Sequence, residues 1–438
     1  MNFNSLLFII FFLPIFFVTF YLVKNPYRYL VVLVGSFIFY LYSGWLNTVI
    51  LLGMTVLDYF AALLIEKKRS RLYMIAAVAI NIASLAFFKY NRSLILPLGI
   101  SFYTFNNISY LVDVGKGKIR AERHILYYLT YAILFAHVTM GPITKYSTIR
   151  EKIRNLNPTF DEAADGFRRF FFGLIKKVLV ADNLGLLYSS LTSADKSTML
   201  YILMLVVFGL QLYIDFSSYS DMAIGLGKMM GITYPENFDH PYLALSVSDF
   251  WRKWHMSLTN FFKEYVYIPL GGNRVPKWRH ILNIMIVWGL TGIWHGSSIN
   301  FLFWGLYYGV ILIIEKYFLL NKLEKAPNYL RHIYVLMIVL IGYIFFSITD
   351  SASLAAFFKG LFSSGFINST FLFYIKENWL LIIAGIILCL KMPEKIKHTL
   401  DNNRIAIIAM DVVYVALFIL TISYIVSGSY LPFLYSAF

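Results

Sequence analysis

Apolar residues run through this chain in stretches of about 20, the length an α-helix needs to cross the ~30 Å hydrocarbon core of a bilayer. The stretches lie near 5–23, 29–47, 49–65, 72–88, 94–112, 125–143, 166–190, 199–227, 281–314, 331–348, 377–391 and 405–427. Several are too long or too interrupted to be simple spans. The pattern therefore predicts an all-α polytopic membrane protein with about 10–13 transmembrane or re-entrant helices.

Two stretches depart from a plain span. Between Arg279 and Glu315 lie 35 residues with no side chain ionised near neutral pH other than, at most, His280 and His295. As one helix they would exceed ~50 Å at ~1.5 Å per residue, so the run must break, and Gly296, Ser297 and Ser298 supply the place. Non-helical backbone at membrane depth is tolerated where it is buried in protein or lines a wet cavity, which puts a cavity beside His295. Trp288, Thr291 and His295 share one helical face and give that cavity an aromatic wall. The second stretch begins at Ser248, which reads as an N-cap. It places Trp251, Trp254, Leu258, Phe261, Phe262 and Tyr265 on one stripe and Arg252, Lys253, Ser257 and Lys263 on the other side. That predicts one continuous amphipathic helix at the membrane interface, with His255 at the edge of its apolar stripe. There His255 either snorkels or turns inward.

Composition sharpens this picture. Apolar residues make up 59% of the 438 and charged ones only 14%, far from a soluble domain's balance. The formal charge of +15 is scattered in short juxtamembrane clusters such as Lys67, Lys68, Arg69 and Arg71. It suits anionic headgroups and topology rather than nucleic acid. Those clusters place the early loops inside and the N-terminus outside, with the first apolar run retained as a span. The single cysteine, Cys389, reads as a small buried hydrophobe, and neither a disulfide pair nor a Cys/His metal spacing exists. No metal site is expected. Gly225, Gly227 and Gly231 fit no phosphate-cradling pattern and read as small residues that let helices approach.

Chemistry is concentrated between residues 249 and 305, which hold His255, His295 and six of the eight tryptophans. Upstream, Gln211, Asp215, Ser217, Ser218, Ser220 and Asp221 crowd an apolar stretch. A carboxylate at the bilayer centre costs at least ~2.5 kcal/mol, so they must face protein or water, either as a polar seam between helices or as the lining of a chamber.

The segments QLYIDFSSYSDMAIGLGKMMG (211–231), PENFDHPY (235–242), DFWRKWHMSLTNFFKEYVYIPLGG (249–272) and GIWHGSSINFLFWG (292–305) resemble the membrane-bound O-acyltransferase superfamily, in its bacterial alginate and peptidoglycan O-acetyltransferase branch. The block 96–113, GPITKY (141–146) and the opening MNFNSLLFIIFFLPIFF extend the likeness over nearly the whole chain. The resemblance implies helices around a central acyl-transfer chamber, in one membrane domain with a catalytic core at about 95–310 and C-terminal helices with an aromatic tail at 331–438. It implies that His295 and His255 are the catalytic pair. Acyl transfer needs a base, for which His295 serves, and donors for the oxyanion. Candidates for the donors are His255, Asn300 and the indoles of Trp294 or Trp251. Trp288 and Asp215 complete the chamber, and Arg252, with Lys253 and Arg274, would suit a donor's phosphates.

The resemblance further implies that cytoplasmic acetyl-CoA is the acetyl donor, with no bound cofactor. It implies a bacterial cytoplasmic (inner) membrane location and a separate extracytoplasmic SGNH/esterase-like acetyltransferase as partner. It leaves the polysaccharide open between an alginate-like exopolysaccharide, cellulose and peptidoglycan. The ending PFLY (432–435) resembles aromatic tails of the branch. Tyr435 is either an interfacial anchor or a phenol that accepts the acetyl group first. A polytopic transporter or flippase is the alternative reading, since transporters also build sites from broken helices. Against it, the polar motifs cluster once, in residues 211–305, rather than in two related halves.

Overall fold

The computed structural model describes all residues except 92, 95, 392–403, 429–431 and 434–438. The described residues form helices and no strand. In chain order these are α1 (Leu7–Leu22), whose first turns are π-helical, α2 (Arg28–Leu41), α3 (Trp45–Lys68), α4 (Arg71–Tyr90), α5 (Ile100–Gly115), α6 (Ile125–Ile133), α7 (Phe135–Val138), α8 (Tyr146–Arg154) and α9 (Phe160–Ile175). A π-helical turn, Lys176–Ala181, leads into α10 (Asp182–Ser193), followed by α11 (Thr198–Met229), α12 (Val247–Lys253) and α13 (Met256–Phe262). Then come α14 (Lys277–His295), α15 (Ile299–Ile314), α16 (Leu320–Lys325), α17 (Asn328–Ser347), α18 (Ser351–Ser363), α19 (Ser369–Cys389) and α20 (Arg404–Val426). Among the described residues 7 helices are long and apolar enough to cross a membrane, and Leu7–Leu22 is a shorter apolar one. The protein is a multi-pass membrane protein.

The chain divides into two compact units. The first comprises Met1–Leu174 and Tyr219–Glu236. Its core is aromatic: Phe12, Phe16 and Phe39 surround Phe135 at centroid distances of 5.4, 5.0 and 5.7 Å. The apolar run 125–143, expected as one span, is divided at Leu134, whose ψ of 113° leaves the helical region between α6 and α7. The end of α11 crosses α9 where Gly225 faces Gly166. A Cβ on Gly225 would stand 2.6 Å from the Gly166 carbonyl oxygen, so the glycines permit the close approach of the two helices. Asp221, placed by sequence in a polar constellation, accepts from Arg169 Nε and Nη2 at 3.0 and 2.9 Å, and Glu236 takes the remaining Nη1 at 2.6 Å.

The second unit comprises Ile175–Ser218 and Asn237–Phe438. Here Lys177 is buried between Asp182 and Asp215, with Nζ 2.6 Å from an oxygen of each. Taking three charges out of water is costly unless they satisfy one another, and the short distances achieve that. The same Nζ donates to the Pro432 carbonyl at 3.2 Å and lies 4.5 Å from the centroid of the buried Phe433 ring. Cys389 is buried and its Sγ reaches the Gly385 carbonyl at 3.2 Å, as expected of a packed thiol. Helices α14 and α15 form an antiparallel hairpin. Gly292 faces Phe301 and Gly305 faces Trp288, and a Cβ on either glycine would overlap the opposing carbonyl oxygen. The long apolar run thus folds back on itself at 296–298, as its length demanded. Helix α18 had no counterpart among the expected stretches; its 13 residues are too few to stand out as a span.

Candidate active site

His255 is set by a break that the sequence pattern did not predict. The amphipathic segment is not one helix from Ser248. Ser246 is the N-cap, its hydroxyl accepting from Asp249 N at 3.0 Å. The buried Glu315 carboxylate takes the next free amides, Val247 N at 2.7 Å and Ser248 N at 2.8 Å, and also the Ser248 hydroxyl at 2.6 Å. The first turn of α12 is therefore fully bonded and sits against a negative charge that favours its positive end. Helix α12 stops at Lys253, His255 takes a left-handed backbone with φ 44°, and α13 restarts at Met256. A non-glycine residue in this region costs on the order of 1 kcal/mol or more, and such strain gathers at functional sites.

Asn237 holds the break together. Its backbone carbonyl accepts from Met256 N at 2.9 Å, while its side-chain oxygen accepts from Ser257 N at 3.2 Å and Ser257 Oγ at 2.9 Å. The backbone amide fixes which end of the Asn237 amide faces inward. His255 Nδ1, 3.1 Å from that same oxygen, must then carry a hydrogen and donate it. In the neutral ring Nε2 consequently bears the lone pair. Burial pushes the imidazole down to about 3, so the neutral form prevails near pH 7. This alters the role read from sequence: a neutral ring with this tautomer offers an acceptor, not an oxyanion donor, at Nε2.

His295 closes α14 at the hairpin turn. Gly296 is extended, and Ser298 caps α15 by accepting from Asn300 N at 3.3 Å. The Ser298 hydroxyl donates to the Thr349 carbonyl, and Asn300 Nδ2 donates to the Ile348 carbonyl at 2.6 Å. The turn is thus tied to the chain just beyond α17. The buried His295 ring stands 4.7 Å from Trp294, 4.8 Å from Trp304 and 5.2 Å from Phe346, so aromatic faces set its orientation.

Both histidines line one cavity of ≈ 260 Å³, and Trp251, Trp254, Trp288 and Thr291 line it with them. The expected face Trp288, Thr291 and His295 points into this space. Trp251 packs against Trp288 and Tyr308 at 4.7 and 4.8 Å, and its buried indole N–H has no hydrogen-bond partner among the described residues. That N–H is the donor free to meet a developing negative charge.

Other sequence candidates sit elsewhere. Trp294 is buried between the histidines, with its ring 6.4 Å from His255, and is not a lining residue. Asn300 braces the hairpin turn. Asp215 belongs to the Lys177 cluster, one position before Phe216, whose ring is 4.7 Å from His255. Arg252 is exposed and lies 3.9 Å from Asp249. Tyr435 lies outside the described residues. The basic residues that line the cavity are instead Lys263 and Lys316, with Tyr267 and His280 beside them. Sequence reading missed these, as it missed Asn237 and Glu315. Asn237 does fall inside the quoted PENFDHPY segment, and His280 and Glu315 flank the long apolar run.

The profile of the membrane-bound O-acyltransferase family matches residues 117–348, a span that contains both histidines. The chain is 33% identical to the probable alginate O-acetylase of Pseudomonas aeruginosa over 83% of this chain and 75% of that protein. It is 34% identical to the peptidoglycan O-acetyltransferase of Helicobacter pylori over 72% of this chain and 70% of that one. A teichoic acid D-alanyltransferase of Bacillus subtilis is 28% identical over 55% of this chain and 63% of its own length. The chain belongs to the membrane-bound O-acyltransferase family and is a membrane-bound O-acyltransferase.

Proposed function

We propose that this enzyme takes an acetyl group from cytoplasmic acetyl-CoA for O-acetylation of an extracytoplasmic polysaccharide, an alginate-like exopolysaccharide or peptidoglycan, in the bacterial cytoplasmic membrane. An SGNH/esterase-like acetyltransferase outside the membrane receives the group. The observation that carries the reading is the single cavity lined by His255, His295 and the unpartnered Trp251 N–H. His295 takes the proton of the attacking hydroxyl as its oxygen bonds to the thioester carbonyl carbon. The carbonyl electrons move onto oxygen, where Trp251 Nε1 donates. Collapse of the intermediate expels the thiolate, which recovers the proton from His295 and leaves as free thiol. His255, held neutral by burial, accepts a hydrogen bond from a substrate N–H or O–H at Nε2 and fixes its position.

Tyr435 is the hydroxyl that accepts first within this proposal. Support comes from Phe433, two positions earlier, which is buried against Lys177. Lys177's partner Asp215 adjoins the Phe216 wall of His255. The test is incubation of the purified enzyme with labelled acetyl-CoA and no partner, followed by peptide mapping. Label on Tyr435, lost in His295→Ala, supports the scheme. A Tyr435→Phe enzyme that acetylates polymer normally excludes the relay, and failure of the wild type to consume acetyl-CoA excludes the donor.

A further inference from the structure

The cavity is long. The residues of α14 that line it are His280, Ile284, Val287, Trp288, Thr291 and His295, which recur on one face of the helix. His280 and His295 are fifteen residues apart, about 22 Å along the axis. At one end stand the catalytic histidines. Leu258, Phe262 and Ile284 form apolar wall, and Lys263, Tyr267, His280 and Lys316 also line the space.

The histidine in that basic group is clamped. His280 Nδ1 lies 2.7 Å from the Tyr317 hydroxyl, and Nε2 lies 2.8 Å from the Tyr267 hydroxyl and 3.5 Å from Lys316 Nζ. An ammonium can only donate, so Nε2 is the acceptor and Nδ1–H donates to Tyr317. The two tyrosines sit on two separate π-helical turns, Lys263–Tyr267 and Glu315–Leu319. Each turn also carries one of the lysines. His280 thus ties together the two turns that present Lys263 and Lys316 to the cavity. Turns of this kind are frequent at functional sites. Among the described residues neither lysine has an ion-pair partner, although each is held at a defined place on the wall of a cavity that ends at His295.

We infer that Lys263 and Lys316 form a phosphate site for the far end of the acyl donor, a thioester carried on a phosphorylated pantetheine-type arm. The arm lies along the apolar wall, its acyl group at His295 and its phosphate between the lysines. This rests on the thioester donor proposed above. It moves phosphate recognition from the exposed Arg252, expected from sequence, to two lysines that face the same cavity as the reaction. A phosphate borne by an anionic lipid headgroup would meet the same cations, but it would have no thioester to deliver.

The experiment compares acetyl-CoA with S-acetylpantetheine, which has the same reactive end and no phosphate, using full-length enzyme in neutral phosphatidylcholine nanodiscs. Lys263→Ala and Lys316→Ala should each raise KM for acetyl-CoA about tenfold with kcat changed less than about twofold, since a charge-assisted contact remote from the reacting atoms is lost. KM for S-acetylpantetheine should not move, so the preference for the phosphorylated donor collapses. Raising ionic strength should weaken acetyl-CoA use by wild type and have little effect on the double variant. Arginine at either position should restore most of the affinity, which separates a phosphate contact from damage to the fold. Equal losses with both donors, or none with either, would overturn the site. So would a KM change seen only when anionic lipid is present, which assigns the lysines to headgroups. A wild type that ignores acetyl-CoA but turns over another thioester overturns the donor reading instead.

Discussion

Replacing Asn237 isolates the proposed state of His255. The Asn237 side-chain oxygen accepts three hydrogen bonds, from His255 Nδ1, Ser257 N and Ser257 Oγ, at 3.1, 3.2 and 2.9 Å, in a position 1% exposed. In Asn237→Ala the serine hydroxyl can rotate to another acceptor, but the amide and the imidazole N–H cannot. Each buried donor left unmet costs about 1–3 kcal/mol, so a loss of about 2–6 kcal/mol is expected, softened if water enters the space. The ring also loses the partner that fixes its tautomer, and loss of such an orienting group typically costs 10–100-fold. The assay is acetyl transfer from acetyl-CoA by purified enzyme, with thermal unfolding followed in parallel. Asn237→Ala should lose about 10–100-fold in kcat with KM for the donor within about threefold. Asn237→Asp keeps every acceptor and should fold well, but its charge opposite Nδ1 favours the imidazolium. Its activity should therefore fall at a higher pH than that of the wild type as the medium is acidified. An Asn237→Ala enzyme that is folded and fully active, or an Asn237→Asp enzyme with the wild-type pH profile, would refute the assignment of His255 as a neutral acceptor.

Other consequences are as direct. Trp251→Phe retains a ring against Trp288 and Tyr308 but removes the N–H, and should lower kcat about 10²–10³-fold with little change in melting temperature; parallel rate and melting measurements check this. Gly305→Ala pushes a methyl into the Trp288 carbonyl and should destabilise the hairpin by about 1–3 kcal/mol, measured by thermal unfolding. Because the folded His255 binds its proton only near 3, and an unfolded histidine does so near 6.5, acidification between those values loads the unfolded state alone. Each pH unit there should cost about 1.4 kcal/mol of stability. His255→Gln should flatten that part of the melting-temperature profile, and an unchanged slope would assign it to other groups.

The sequence made some of this architecture legible for reasons that the structure bears out. A 35-residue apolar run cannot be one helix, and the Gly-Ser-Ser at 296–298 is where it turns. The shared face of Trp288, Thr291 and His295 needed only helical periodicity. The break at His255 was hidden because the segment 248–265 contains neither glycine nor proline. It is imposed by Asn237 from outside the helix, and local pattern does not encode that. The carboxylates of 211–221 went the same way. Asp215 and Asp221 answer to Lys177 and Arg169, which lie 38 and 52 positions upstream on other elements. Lys263 and Lys316 look like ordinary juxtamembrane charges until folding brings both to one cavity.

The central claim is that His295 drives acyl transfer from this cavity to an extracytoplasmic polymer. The measurement that tests it most directly is O-acetyl ester content of the isolated envelope and capsular polysaccharides, in cells carrying wild type, His295→Ala or no enzyme, with membrane abundance of the protein quantified in the same samples. The account predicts that His295→Ala, inserted at wild-type abundance, leaves ester content at the level of cells lacking the enzyme. Wild-type ester content with that variant as the sole copy would contradict it.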